Sequence, residues 1–130
     1  YYIPAQISGC LFWVMLANVF FEHAILELST KNRDGLHIFF SEIIATFGLI
    51  FVIFATLKDG KTIVAISVAT YISAGYWFTS STSFANPAVS IARTFTDSFT
   101  GINYLNTPTY ILAEFIGLIL AAYILKIIYK

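Results

Sequence analysis

Four apolar stretches, each about as long as a lipid bilayer is thick, constrain this chain more than any other feature. They lie near residues 3–21, 38–57, 62–80 and 109–128. About 20 apolar residues in a helix cross roughly 30 Å of hydrocarbon, so each stretch is predicted to span a membrane. The expected fold class is therefore an all-α, multi-pass membrane protein in which residues 1–130 form one membrane domain.

Composition agrees with a membrane location. Hydrophobic residues make up 58% of the chain and charged residues 11%, whereas soluble domains carry roughly 25% charged residues. The seven basic and seven acidic residues cancel, so the chain has no net charge with which to attract nucleic acid. The expected surrounding is a lipid bilayer, and no nucleic-acid partner is predicted.

Few residues suggest metal binding or catalysis. Cys10 is the only cysteine, which excludes an internal disulfide and a multi-cysteine metal site, and we interpret it as a small core residue. His23 and His37 are expected in a loop or at the membrane interface, outside any cluster with metal-ligand spacing. No nucleophile, base and acid can be combined into a catalytic set. The sequence predicts no metal, no cofactor and no enzyme activity.

The distribution of lysines suggests an orientation in the membrane. Lys58 and Lys61 flank the turn after the second stretch. Lys126 lies at the end of the fourth stretch, and Lys130 follows it. Because basic residues are more frequent in cytoplasmic loops, both sites are predicted to lie on the cytoplasmic side. The polar loop of residues 23–36 is then expected outside.

The segment of residues 81–107 is too polar to span a membrane, yet it lies between two apolar stretches. Asn86 followed by Pro87 is typical of a helix start, because asparagine caps free N–H groups and proline fits the first helical position. We expect a loop and short helix over residues 81–98, with the helix running from Pro87 to about Ser98. Spacing alone leaves open whether this helix lies on the membrane surface or dips into the membrane.

The tripeptide Asn86, Pro87 and Ala88, after a span and a Ser/Thr-rich run, resembles the second signature of the aquaporin and glycerol-facilitator family of bacteria. Glu42 and Glu114 are placed like that family's helix-start glutamates. The resemblance covers essentially the whole chain. It implies a partial aquaporin-like fold, with four transmembrane helices plus one re-entrant half-helix, corresponding to the C-terminal half of an inner-membrane channel that forms homotetramers. Two spans and another Asn-Pro-Ala would then be missing.

The resemblance also implies roles for individual residues. Asn86 would donate hydrogen bonds from its amide to passing water or alcohol, and the two glutamates would bond the backbone of re-entrant loops. Most family members carry arginine directly after the signature, where this chain has Val89. Arg93 lies one helical turn further on, where it either reaches the pore or anchors the half-helix.

A second position bears on the width of the implied pore. Ala74 lies twelve residues before Asn86, where strict water channels carry histidine and glycerol facilitators a small residue. Together with Val89, this small residue implies a wide filter like that of a bacterial branch associated with arsenic detoxification. Tyr76 and Trp77 either narrow the same mouth or anchor the helix at the membrane surface.

Two functions are therefore expected from the sequence. The first is a passive channel for water and small uncharged solutes, such as glycerol or undissociated metalloid acids. The alternative is a truncated, non-conducting half-channel that only associates with other membrane subunits. An ion-coupled transporter has little support, because such proteins usually carry several charges at mid-membrane.

Overall fold

A computed structural model describes residues 1–129, so that Lys130, used in the orientation argument, lies outside the described residues. Helices are the only regular secondary structure among the described residues, which contain no strand, and this confirms the all-α prediction. The helices are α1 (Tyr2–Phe20), α2 (Leu36–Thr56), α3 (Lys61–Phe78), α4 (Pro87–Ala92) and α5 (Thr107–Ile128). Short 3-10 turns follow α2 at Leu57–Asp59 and α4 at Arg93–Phe95.

Each of the four apolar stretches forms a long helix. Among residues 1–129, three helices are long and apolar enough to cross a membrane: α1, α2 together with its 3-10 turn, and α5. The remaining helix, α3, has 18 residues but includes Lys61 and four serines or threonines. These polar side chains reduce its mean hydropathy, so a membrane span at α3 stays a prediction.

The turn between α2 and α3 forms at residues 58–61, where the sequence predicts it. Leu57–Asp59 tightens the end of α2 into a 3-10 turn, and Gly60 follows with a φ of 97°. This left-handed conformation is accessible to glycine without a steric penalty. Lys58 also places its ammonium 5.4 Å from the ring centre of Tyr129, a distance typical of a cation–π contact.

The residues divide into two compact units. The first consists of residues 1–34 and 86–111, and within it α1 packs against α4 and the 3-10 turn that follows α4. Asn18, near the end of α1, is only 1% exposed. Its amide nitrogen donates to the carbonyl oxygens of Phe95, at 2.9 Å, and Ile25, at 3.2 Å. A buried polar side chain therefore fixes α1 to the end of the short helix.

The second unit consists of residues 35–85 and the chain from Leu112 onward, and within it α2 packs against α3. The Tyr71 hydroxyl donates to the carbonyl oxygen of Ala45 at 3.0 Å. Gly48 leaves space for this ring, because a Cβ there would lie 2.1 Å from the hydroxyl oxygen. Gly117 on α5 likewise lies against the α2 backbone, so small residues permit close helix packing.

The short helix ends earlier than the sequence suggested, so the expected end near Ser98 is wrong. The α-helix stops at Ala92, the 3-10 turn stops at Phe95, and Thr96 is extended with a φ of −145°. The carbonyl of Thr94 accepts from the backbone N–H of Ser29 at 2.9 Å. The carbonyls that would continue the helix are thus bonded to the loop after α1.

Candidate functional site

Asn86 caps the short helix α4. Its side-chain oxygen accepts from the backbone N–H of Ala88 at 2.9 Å, and its backbone oxygen accepts from Val89 and Ser90 at 2.9 and 3.0 Å. Asn86 itself has an extended backbone, and Pro87 occupies the first helical position. The helix therefore begins at the residue that the cap and proline indicated.

Glu42 holds the loop that leads to this cap. Its carboxylate is fully buried and accepts from the backbone N–H groups of Ala85, at 2.5 Å, and Phe84, at 3.4 Å. Ala85 has a φ of 49°, a left-handed conformation that is unfavourable for a residue with a Cβ. Two hydrogen bonds to a charged acceptor offset this strain in the residue just before Asn86.

Glu114, the other glutamate singled out in the sequence, lies on the buried side of α5. It is 2% exposed, and Ala113 and Ala121 of the same helix are fully buried. A buried carboxylate in an apolar helix requires polar partners, because its desolvation is costly. Glu114 is therefore placed in the packed interior of the second unit.

A cavity of about 560 Å³ lies within the first unit, between α1 and α4. Val89, Ala92 and Arg93 form the α4 side of the cavity. The α1 side is formed by six residues at helical spacing: Cys10, Trp13, Val14, Ala17, Asn18 and Phe21. The cavity thus combines one largely apolar helix face with a face that carries a guanidinium group.

The cavity is completed by mostly polar residues beyond the helix ends. We call Thr96, Ser98, Phe99 and Thr100 the rim segment; these residues and His23 also line the cavity. The Ser98 and Thr100 hydroxyls lie 3.1 Å apart and share a hydrogen bond. The His23 ring nitrogen lies 3.1 Å from a Glu27 carboxylate oxygen. Hydroxyl groups in this position can donate to or accept from a polar solute.

The loop after α1 holds the rim segment by charged hydrogen bonds. The Arg33 guanidinium donates to the carbonyl oxygens of Phe99, at 2.6 Å, and Gly101, at 2.7 Å. Asp97 accepts from the backbone N–H of Thr30 at 2.7 Å and from its hydroxyl at 3.0 Å. These hydrogen bonds, chiefly that from the Thr30 backbone, lower the pKa of Asp97 below its usual value. Asp97 therefore keeps its charge at neutral pH.

The site residues expected from the sequence are distributed over both units. Asn86, Pro87, Ala88, Val89 and Arg93 all belong to α4 and its ends, and the last two line the cavity. Ala74 is an exposed residue of α3 in the second unit. Its role in a filter therefore stays a prediction. Tyr76 is half-buried, Trp77 is 91% exposed, and His37 is exposed.

Sequence reasoning missed the α1 wall of the cavity and the role of Arg33. The spacing of Trp13, Ala17 and Phe21 identifies one face of a helix, but it does not say which element that face meets. Arg33 lies in the polar loop of residues 23–36, for which the sequence predicts a location outside the membrane but no role for any side chain. Its partner Gly101 is 68 positions away, so no local pattern indicates the contact.

The fold and this site together define an all-helical, multi-pass membrane protein with a capped short helix beside a cavity. A comparison with curated proteins found aquaglyceroporin AqpS of Rhizobium meliloti (strain 1021), 40% identical over 125 residues. The match covers 96% of this chain and 54% of that protein, so the chain spans about half the length of its relative. No protein-family model and no solved structure matched.

This similarity supports membership of the aquaporin and glycerol-facilitator family, also called major intrinsic proteins. Together with the three membrane-capable helices, it supports a multi-pass protein of the inner membrane. Aquaglyceroporins are channels rather than enzymes, which supports the non-enzyme interpretation at the level of the family.

Proposed function

We propose that this chain forms part of a passive channel for water and small uncharged solutes, with glycerol as a representative solute. The observation that carries the proposal is the cavity beside the Asn86-capped helix, where Val89 and Arg93 face an apolar helix wall. An apolar wall opposite polar groups suits a solute that has both carbon and hydroxyl surfaces. Movement would follow the solute gradient without a coupled ion.

Selectivity against ions would come from fixed positive charge. Arg93 lines the cavity, where its positive charge would repel cations, and the partial positive charge at the start of α4 would act in the same direction. In the aquaporin and glycerol-facilitator family, the signature asparagine donates hydrogen bonds to the oxygen of the water or alcohol that passes. We assign this role to Asn86. Donors that orient each water also oppose proton transfer along a chain of waters.

The width of the filter is assigned to Val89 and, by resemblance alone, to Ala74. A valine in place of arginine and an alanine in place of histidine both remove bulk and polarity. The proposed solutes therefore extend beyond water to glycerol and undissociated metalloid acids. We further infer from the family resemblance that the chain represents the C-terminal half of a channel subunit and that complete subunits form homotetramers.

Val89→Arg tests the filter assignment. An arginine next to the signature would narrow the pathway, so we expect glycerol permeability to fall roughly tenfold while water permeability falls less. The measurement is stopped-flow swelling and shrinkage of vesicles that contain the full-length protein. Val89→Ile, which retains an apolar side chain, is the matched control and should preserve most of both fluxes.

Two results would count against this assignment. Equal losses of water and glycerol permeability in Val89→Arg would show that Val89 does not act as a size filter. Wild-type vesicles that pass water and glycerol no faster than protein-free vesicles would contradict the channel proposal and favour the non-conducting alternative.

A further inference from the structure

The loop of residues 29–33 and the rim segment are joined by side chains that leave little freedom to either. Arg33 contacts the carbonyls of Phe99 and Gly101, and its backbone N–H donates to the Asn106 side-chain oxygen at 3.0 Å. On the other side, Asp97 contacts Thr30. The rim segment is therefore held both within its length and just beyond its end.

The Arg33 contacts have a geometry that a lysine could not reproduce. The planar guanidinium uses its Nε and Nη2 atoms to donate to two carbonyls that are two residues apart. Such a fork fixes the direction of both peptide groups, whereas a lysine ammonium acts as a single point charge. The orientation of the chain between Phe99 and Gly101 thus depends on this side chain.

The turn that Arg33 holds is closely packed at Gly101. The Gly101 backbone N–H donates to the carbonyl oxygen of Ser98 at 3.0 Å. A Cβ at Gly101 would lie 2.1 Å from the carbonyl oxygen of Thr96 and 2.4 Å from the Ser29 hydroxyl. A small change in the path of this turn would therefore displace the rim segment, which lines the cavity.

Asp97 provides the second attachment. Its Oδ1 atom accepts from the Thr30 N–H and hydroxyl, and the Ser29 hydroxyl lies 3.4 Å from the same oxygen. A carboxylate that accepts a backbone N–H and a hydroxyl forms stronger hydrogen bonds than a neutral acceptor would. We call Arg33, Thr30 and Asp97 the clasp.

We propose that the clasp sets the upper size of the solute that the channel admits, by fixing the rim segment beside the cavity. The inference rests on the proposed channel function and extends it to residues outside the filter. Arg33 and Asp97 act as positioning residues, since they hold the backbone of the rim rather than the α4 wall. Releasing the clasp would let Phe99, which is 74% exposed, move away from the cavity.

The test compares Arg33→Ala with wild type in vesicles that contain the full-length protein. Water, glycerol and the five-carbon polyol xylitol are the probes. We expect the ratio of xylitol to water permeability to rise roughly threefold in Arg33→Ala, because a wider opening favours the larger solute. Arg33→Lys should give a smaller rise, because it restores the charge without the fork.

Asn32→Ala is the matched control. Asn32 lies in the same loop, but its side chain donates to Asp34 at 3.1 Å, within the loop itself. Its permeability ratio should equal that of wild type. Thr30→Val provides a second route if Arg33→Ala fails to insert, because it removes only the hydroxyl contact with Asp97 and should raise the same ratio.

The outcomes separate the clasp from the channel proposal. An unchanged ratio of xylitol to water permeability in Arg33→Ala, or equal losses of xylitol and water flux, would contradict the size-limiting role of the clasp. Flux through the wild-type protein would still support the channel proposal. If Arg33→Ala does not insert, an unchanged ratio in Thr30→Val would contradict the size-limiting role instead. If wild type passes none of the probes, the channel proposal is wrong, and the size-limiting role fails with it.

Discussion

Glu42 shows how much of the site depends on one side chain. It is buried in an apolar helix and bonds two successive backbone N–H groups, of Phe84 and Ala85, just before the capped helix. These two N–H groups belong to a strained segment, in which Thr82, Ser83 and Ala85 all have a positive φ. A single carboxylate thus stabilises a backbone shape that non-glycine residues disfavour.

Glu42→Gln should lower the free energy of unfolding by about 2 kcal/mol, because a neutral amide is a weaker acceptor and its NH2 group would face N–H donors. The measurement is the thermal unfolding temperature of the full-length protein in detergent. Glu22→Gln changes an exposed glutamate and is the matched control. Equal unfolding temperatures for the two variants would show that the carboxylate does not hold the loop.

Small residues on α5 allow this helix to approach α2 closely. On α5, Ala113, Gly117 and Ala121 recur every fourth position, and both alanines are fully buried. Gly117 lies against the backbone of α2, where the nearest atom to an added Cβ is the Ile43 carbonyl oxygen at 2.5 Å. The hydrophobic effect does not drive helices together inside a lipid bilayer, because the lipid tails are themselves apolar. Close van der Waals contact is therefore a main source of packing energy between the helices.

Gly117→Ala should destabilise the protein by about 2 kcal/mol, because the new methyl group would collide with rigid backbone. Gly9→Ala is a suitable control, since a Cβ at Gly9 would meet nothing within 4 Å. We expect the control to be neutral or slightly stabilising, as alanine has the higher helix propensity. Unfolding in detergent measures both variants, and a Gly117→Ala variant as stable as the control would contradict this packing.

At the scale of the whole molecule, the orientation of the chain in the membrane determines which loops face the outside of the cell. Lys58 and Lys61 lie in the exposed turn between α2 and α3, whereas the clasp joins the loop after α1 to the segment after α4. The positive-inside tendency predicts the turn in the cytoplasm and the loop outside. In that orientation solutes from outside would meet the clasp first.

Cysteine labelling tests this orientation. In a Cys10→Ser background, Asn32→Cys should react with a membrane-impermeant maleimide on intact spheroplasts, because its loop is predicted to lie outside. Asp59→Cys should react only after the membrane is permeabilised. Positions 32 and 59 are both exposed, so access to solvent is matched apart from the side of the membrane. The reverse labelling pattern would show that the orientation is wrong.

Sequence by itself determined the helical membrane class and where the short helix begins. Long apolar runs satisfy their backbone hydrogen bonds in lipid only as helices or closed barrels, so hydropathy is sufficient to locate them. The cap at Asn86 and Pro87 is equally local, because its acceptor and donor are two residues apart. Such features need no knowledge of the remaining chain.

Tertiary structure alone decided where the short helix ends, which α1 face meets the cavity, and what Arg33 binds. The end near Ser98 was wrong because helical periodicity continues there, while the backbone N–H of Ser29 bonds the carbonyl of Thr94. Arg33 and Gly101 are 68 positions apart. Contacts between residues so far apart in the sequence depend on how the helices pack. A local pattern of residue types does not predict that packing.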